Sequence, residues 1–186
     1  MHPFIYPIVP AIRNLKMVEK IISTQVSSVF LLEGDIFEIK RACKKLKEHG
    51  KFVFVHVDLV EGIGKDKASV KLVKEFVGAD GIITTRSNLI DFARKLDLMA
   101  IQRIFLIDSK AFQTGIEQVK KHKANFVEVL PGLIPELVRK IKEEIVQPII
   151  SGGLVTTKEQ AKLLLENGAI GVSTSCEKLW DEFELI

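Results

Sequence analysis

Short apolar runs rich in β-branched residues alternate with longer amphipathic segments along the whole chain. Each apolar run is bounded by glycine, proline or charged residues, which is typical of buried strands. The pattern predicts eight strands, at residues 4–9, 28–32, 52–57, 81–84, 101–107, 126–129, 148–150 and 170–173. Strands that are apolar throughout, rather than alternately apolar and polar, indicate a parallel sheet that is covered on both faces.

The segments between the strands have the spacing of helices, with apolar residues three or four positions apart. One such stripe is formed by Ile36, Ile39, Cys43 and Leu46, another by Leu89, Ala93 and Leu96, and a third by Ile134, Leu137, Val138 and Ile141. Thr156 followed by Glu159 predicts a capping box, and therefore a helix that begins just after Gly152-Gly153.

Repeated strand–helix units predict an α/β fold with a parallel sheet, and eight units are enough to close a compact (βα)8 TIM-type barrel. We expect a single barrel domain over residues 1–186, although this length is short against the ~250 residues usual for the fold. The alternative is an open, doubly wound sheet. Pro7 conflicts with the first predicted strand, because proline is disfavoured in a central strand, so that strand is expected to be shortened to residues 8–9 or distorted.

Composition excludes several classes of protein. The chain is 47% apolar and 27% charged, which is ordinary for a globular protein, and no apolar run approaches the ~20 residues of a membrane span. The N-terminus has no basic leader, and Cys43 and Cys176 lie too far apart for a metal or redox motif. These features predict a cytoplasmic protein with no metal, no cofactor and no membrane partner.

Polar residues follow nearly every predicted strand, and in a barrel these positions meet at one rim, where function gathers. The carboxylates among them suit acid–base catalysis, metal binding or the hydroxyls of a polyol. Arg103 lies within a strand and needs a carboxylate partner if it is buried. His56 is either a satisfied barrel histidine or a partner of Asp58. The predicted ligand pocket comprises Glu33, Asp58, Glu61, Arg103, Asp108 and Glu128.

Two consecutive strand ends carry Ser151-Gly152-Gly153 and Ser173-Thr174-Ser175. Loops after strands 7 and 8 of a barrel frequently hold a phosphate, because glycine lets the backbone approach an anion and hydroxyls add donors. A glycine turn and a capped helix are the alternative interpretation. The predicted phosphate-binding residues are Gly152, Gly153, Ser173, Thr174 and Ser175.

The net charge of +3 is too small to indicate by itself a nucleic-acid-binding protein. Basic residues nevertheless cluster in residues 35–51, in residues 120–123 and in residues 139–142. On the outer helices of a barrel, such clusters are either an ordinary solvated surface or a footprint for nucleic-acid phosphates.

Several blocks, taken in order, resemble the glycerol uptake operon antiterminator regulatory proteins. They are HVDLVEGI at 56–63, DGIITT at 80–85, QRIFLIDS at 102–109, EVLPG at 128–132, SGGL at 151–154, and VSTS at 172–175 with LW at 179–180. The resemblance extends over nearly the whole chain.

The resemblance implies a regulator of transcription antitermination rather than an enzyme. Such a protein senses glycerol 3-phosphate and, when liganded, binds the leader mRNA of glycerol-utilisation operons, so that transcription passes a terminator. Homo-oligomerisation would double any basic footprint. The alternatives are a barrel enzyme acting on a small phosphorylated polyol or sugar, as an isomerase or phosphodiesterase, and a sensor that signals to a protein partner.

Overall fold

Eight parallel strands form a closed barrel in the computed structural model, which describes residues 2–181. The strands pair in chain order, and β8 closes the ring on β1 through the register Ile8 with Val172. The (βα)8 prediction is therefore confirmed, and the open-sheet alternative is wrong. The strands are β1 Ile8–Ile12, β2 Ser28–Leu31, β3 Phe52–His56, β4 Gly81–Thr84, β5 Met99–Phe105, β6 Phe126–Leu130, β7 Ile149–Gly152 and β8 Gly171–Thr174.

A helix follows each strand. The helices are α1 Val18–Ile21, α2 Ile36–Glu48, α3 Lys67–Leu72, α4 Ser87–Lys95, α5 Ser109–His122, α6 Pro135–Glu144, α7 Lys158–Glu166 and α8 Lys178–Asp181. A 3₁₀ turn, Leu15–Met17, precedes α1, and a π-helical turn, Val73–Val77, continues α3. Within residues 2–181, no helix combines the length and the apolarity needed to cross a bilayer.

The first strand differs most from the prediction. It begins at Ile8, after Pro7, and runs on through Pro10 to Ile12, whereas residue 4 lies outside it. Pairing explains the shift: β1 takes its register from β8 at Ile8 and from β2 at Ala11, and apolar character alone does not reveal such a register. The other strands differ from the prediction at one or both ends by one or two residues, except β4, which matches it.

The predicted capping box at the start of α7 is displaced by one residue. Thr157, not Thr156, is the N-cap, and Gln160, not Glu159, completes the box. Gln160 Nα–H donates to the Thr157 hydroxyl, and its side-chain oxygen accepts from the amides of Thr156 and Thr157. An amide oxygen therefore takes the place expected for a carboxylate.

The barrel interior is apolar at the N-terminal end of the strands. Phe4, Phe30, Phe54 and Phe126 pack together there, with Phe4 and Phe126 ring centroids 4.9 Å apart. Phe4 is therefore a plug of the barrel bottom rather than a strand residue. A second apolar layer lies between strands and helices and buries the predicted stripe of α2. Apolar filling of one end leaves the other end of the barrel for polar groups.

Candidate functional site

A buried polar triad lies inside the barrel near the C-terminal ends of three strands. Glu128 of β6 accepts from Arg103 Nε of β5 at 2.6 Å and from the Ser173 hydroxyl of β8 at 2.7 Å. Glu128 is 1% exposed and Arg103 7% exposed. The carboxylate partner expected for Arg103 is confirmed, and the pair satisfies two charges that would otherwise be costly to bury.

A cleft of about 500 Å³ opens above this triad at the strand ends. This volume is within the usual range for small-molecule sites. The cleft is lined by Ala11, Arg13, Leu32, Arg103, Phe105, Glu128, Leu130, Pro131, Gly153, Leu154, Val155, Thr156, Ser173, Thr174 and Ser175. Three of the six predicted ligand-pocket residues do not reach it at all, and Glu33 reaches it only through Arg13.

The loops after β7 and β8, for which a phosphate site is predicted, form one wall of the cleft. Gly153 has φ +80°, a left-handed conformation that favours glycine, and it lines the cleft together with Ser175. Gly152 packs directly on β8, where a Cβ would overlap the Ser173 hydroxyl and come within 2.6 Å of the Ser173 carbonyl oxygen. Gly152 thus permits the close approach of two strands, and Gly153 shapes the loop.

Thr174 ties these two loops together. Its hydroxyl donates to the Val155 carbonyl oxygen at 2.7 Å and accepts from the Cys176 amide at 3.0 Å. The Ser173 hydroxyl likewise donates its hydrogen to Glu128. The hydroxyl hydrogens of Ser173 and Thr174, which are predicted to bind a phosphate, are therefore already donated within the protein. Of Ser173, Thr174 and Ser175, only Ser175 is exposed.

Asp58 organises the loop after β4 instead of lining the cleft. It accepts from the Thr84 hydroxyl at 3.0 Å and from the Thr85 amide at 2.8 Å, and Arg86 Nε lies 3.3 Å away. Asp58 follows β3, so these contacts join the ends of two adjacent strands. A carboxylate surrounded by donors in this way stabilises the rim and is not presented to the cleft.

Asp108 and Glu61 are also absent from the cleft. Asp108 caps α5 by accepting from the Ala111 amide at 2.7 Å, and it borders a separate groove of about 370 Å³ between α5 and α6. Glu61 has an exposed side chain, and its backbone pairs with the loop before α2. Both carboxylates follow strands, as predicted, but neither side chain lines the cleft.

Glu33 bonds with Arg13, a cleft residue that the prediction of the pocket omitted. Arg13 directly follows β1, and its position after a strand is the signal from which it could have been found. Arg13 and Arg103 oppose a single carboxylate, Glu128, among the cleft-lining side chains. Glu33 in turn balances Arg13, so the cleft offers an anion the exposed guanidinium of Arg13 only where the anion competes with Glu33.

His56, the last residue of β3, is a buried polar residue two positions before Asp58. It is 3% exposed, and its Nδ1 has no hydrogen-bond partner; the nearest carboxylate oxygen, Asp58 Oδ2, is 3.9 Å away. Neither a satisfied histidine nor a hydrogen-bonded pair with Asp58 is present. Burial, and then the positive charge of Arg103, lower the pKa of His56 to about 4, so the ring is neutral at pH 7.

Among residues 2–181, no three His, Cys, Asp or Glu side chains are grouped so that they could hold a metal ion. The cleft has instead two guanidinium groups, one buried carboxylate, hydroxyls and an apolar wall of Phe105, Leu130 and Leu154. Such a set can hold a small, polar anion that carries hydroxyl groups.

The sequence and the fold are similar to those of known proteins. Residues 8–180 match the family of glycerol-3-phosphate responsive antiterminators. The glycerol uptake operon antiterminator regulatory protein of Listeria monocytogenes is 37% identical, with a TM-score of 0.92 over 96% of this chain and 97% of the other. A glycerol uptake operon antiterminator-related protein of Thermotoga maritima is 38% identical, with a TM-score of 0.83 over 94% and 97%. Escherichia coli YgcP is 32% identical over 94% of this chain and 91% of its own.

Proposed function

The chain belongs to the family of glycerol-3-phosphate responsive antiterminators, and we propose that it binds glycerol 3-phosphate in the cleft and, in response, the leader mRNA of glycerol-utilisation operons. The family is one of regulators, and the chain is a regulator rather than an enzyme. The observation that carries the choice of effector is the pairing of cationic and hydroxyl-accepting groups in one cleft.

The phosphate end of the effector is assigned to the outer part of the cleft. Arg13 is largely exposed there, and the backbone of Gly153 and the Ser175 hydroxyl lie on the same wall. A guanidinium forms strong, charge-assisted hydrogen bonds with phosphate oxygens. Glu33 already engages Arg13, so an arriving phosphate would compete with that carboxylate for the guanidinium.

The glycerol end is assigned to the floor. Each Glu128 carboxylate oxygen accepts one protein hydrogen bond, from Ser173 or from Arg103, and has a lone pair left for a hydroxyl donor. The buried Arg103 guanidinium forms the floor with it. Glycerol without phosphate would lose the cationic contacts, and inorganic phosphate would lose the carboxylate contact. Affinity should therefore require both halves of the effector.

Isothermal titration calorimetry with glycerol 3-phosphate, glycerol and inorganic phosphate tests the effector. Binding of the first alone is expected. Gly153→Leu should abolish it, because the side chain would enter the cleft wall against Leu130 from a left-handed backbone. Gly50→Leu is the matched control, since Gly50 has φ +73° with open space around it. Equal affinity in both variants would remove Gly153 from the site.

Retention of a glycerol-operon leader transcript, with and without glycerol 3-phosphate, tests the RNA half. Retention that requires the metabolite is expected. A ligand can favour the RNA-binding form only by binding that form more tightly, so RNA should raise the affinity for the metabolite by the same factor. Absence of retention from folded, effector-binding protein would refute this part and leave the effector assignment standing.

A further inference from the structure

The solvent-facing side of α2 presents a stripe of one aromatic and three basic side chains. Phe37, Lys40, Arg41 and Lys44 follow the spacing i, i+3, i+4, i+7, opposite the apolar stripe that packs on the barrel. All four are exposed, and Phe37 is 62% exposed. Phe37 therefore presents an exposed aromatic ring directly beside three exposed basic side chains.

A second aromatic ring extends this surface. Phe76, in the π-helical turn after α3, meets Phe37 edge to face with ring centroids 5.8 Å apart, and Lys40 Nζ lies 3.8 Å from the Phe76 centroid. The contacts fix Phe37 and Lys40 side by side while the outer face of Phe37 stays open. The stripe of α2 together with Phe76 is called the aromatic–basic face below.

The charge on this face is incompletely balanced. α2 contains five basic and two acidic residues, a net charge of +3 that equals the net charge of the whole chain. Glu38 is used in the capping box with Asp35, and Glu48 lies 3.9 Å from Lys44. Within residues 2–181, neither Lys40 nor Arg41 has a carboxylate at ion-pair distance. Like charges three or four positions apart destabilise a helix, and a polyanion would relieve that repulsion.

The aromatic–basic face is connected to the effector cleft by a short path. Arg13 in the cleft bonds with Glu33, and Glu33 lies two residues before Asp35, whose carboxylate caps α2. The Asp35 loop is also paired with the loop of Glu61. A change in the Arg13–Glu33 pair on effector binding would therefore occur two residues from the N-cap of α2.

We propose that the aromatic–basic face is the RNA-binding surface, where Phe37 stacks on an unpaired base and Lys40, Arg41 and Lys44 contact the adjacent phosphates. This assignment rests on the proposed function. The occupant is single-stranded RNA because stacking on an aromatic ring beside a basic track is how unpaired bases are held. The other basic clusters, on α5 and α6, have no exposed aromatic residue among their basic residues.

Charge reversal provides the first test, with the full-length chain and a labelled glycerol-operon leader transcript at fixed salt and saturating glycerol 3-phosphate. K40E/R41E should weaken retention by at least about tenfold and lower the salt slope by roughly 1.4, about 0.7 for each phosphate contact to a single strand. R139E/K140E is the matched control, because it reverses an adjacent, exposed Arg–Lys pair on α6. It should change retention by less than about twofold.

Phe37 provides a second test that does not depend on charge. Phe37→Ala should weaken retention by about tenfold, the order expected for loss of one stacked base. Phe37→Trp should retain RNA, and its fluorescence should be quenched on binding. The native Trp180 is buried and serves as the internal reference. Calorimetry with glycerol 3-phosphate confirms in each case that the variant is folded and effector-competent.

The outcomes separate this proposal from the one it rests on. Lack of retention by the unaltered chain overturns the surface assignment together with the RNA half of the proposed function, and leaves the effector assignment standing. Normal retention by K40E/R41E and Phe37→Ala overturns the surface assignment alone, as does an equal loss in R139E/K140E. Phosphatidylglycerol vesicles are the remaining probe: if the α2 variants lose vesicle binding while RNA retention is unchanged, the face is a membrane contact and the RNA assignment is overturned.

Discussion

Glu128→Gln should destabilise the barrel far more than its small chemical change suggests. The substitution keeps the size of the side chain but removes the charge that faces the Arg103 guanidinium at 2.6 Å. Both residues are buried, with 1% and 7% of their side chains exposed. Because only 7% of the Arg103 side chain is exposed, water compensates poorly for the missing carboxylate, and Arg103 is left as a buried cation without a partner.

The expected loss is about 3–5 kcal/mol in the free energy of unfolding, the cost of breaking a buried pair from one side. Ser173 adds little to this figure, because the glutamine oxygen can still accept its hydrogen. A loss of this size is a large fraction of the roughly 5–15 kcal/mol that stabilises a domain. Urea denaturation followed by circular dichroism measures it as a shift of the midpoint.

Glu144→Gln is the control, since it breaks the Lys120–Glu144 pair, which has a similar distance of 2.8 Å but is half exposed on both sides. It should cost less than about 1 kcal/mol. Replacing Arg103 and Glu128 together by methionine and leucine should cost less than Glu128→Gln alone, because no buried charge is left unpaired. Equal midpoints for Glu128→Gln and Glu144→Gln would refute the reasoning and show that the barrel interior solvates Arg103.

Three further predictions concern stability. Gly152→Ala should lower the free energy of unfolding by more than about 3 kcal/mol, because the added methyl group overlaps Ser173. Gly115→Ala is the control: its methyl group makes an ordinary 3.4 Å contact in α5, so it should be neutral or stabilising. Similar midpoints of urea denaturation for the two variants would contradict the packing argument. His56 takes up a proton in the unfolded chain near pH 6.5 but in the folded chain only near pH 4, so the unfolded state binds more protons between these values. Stability should therefore fall by up to about 3 kcal/mol as pH drops from 6.5 to 4, and His56→Leu should flatten that part of the profile; an unchanged profile would exclude His56 as the cause. Asp35→Ala should lower the free energy of unfolding by about 1 kcal/mol through loss of the α2 cap, and no loss would mean that water replaces the cap.

Most of the architecture could be predicted from the sequence alone, because a parallel strand that is buried on both faces consists almost entirely of apolar residues. The first and last residues of the strands were harder to predict from the sequence. Phe4 has the apolarity of a strand residue but fills the bottom of the barrel, and Pro10 lies inside a strand despite its missing N–H. Registry with the neighbouring strands, which involves residues distant in sequence, sets these boundaries.

Within the candidate site, the sequence placed the polar groups at the correct ends of the strands but did not show which way each faces. Glu128 and Asp108 both belong to strand ends, yet the first is buried in the barrel and the second caps a helix outside it. Asp58 likewise bonds with the neighbouring loop. The direction of a side chain just after a strand depends on the turn that follows, and that turn is a tertiary property.

The sequence by itself determined the eightfold alternation, the apolar faces, the glycine and hydroxyl loops after β7 and β8, and the family. Each of these features is a local pattern or a series of local patterns along the chain, so each can be recognised without knowing which distant residues meet. Only the tertiary structure decided that Arg13 joins the cleft and that Phe76 meets Phe37 beside a basic stripe. Both arrangements bring together residues from different strand–helix units, and the packing of those units in the folded barrel sets their distances.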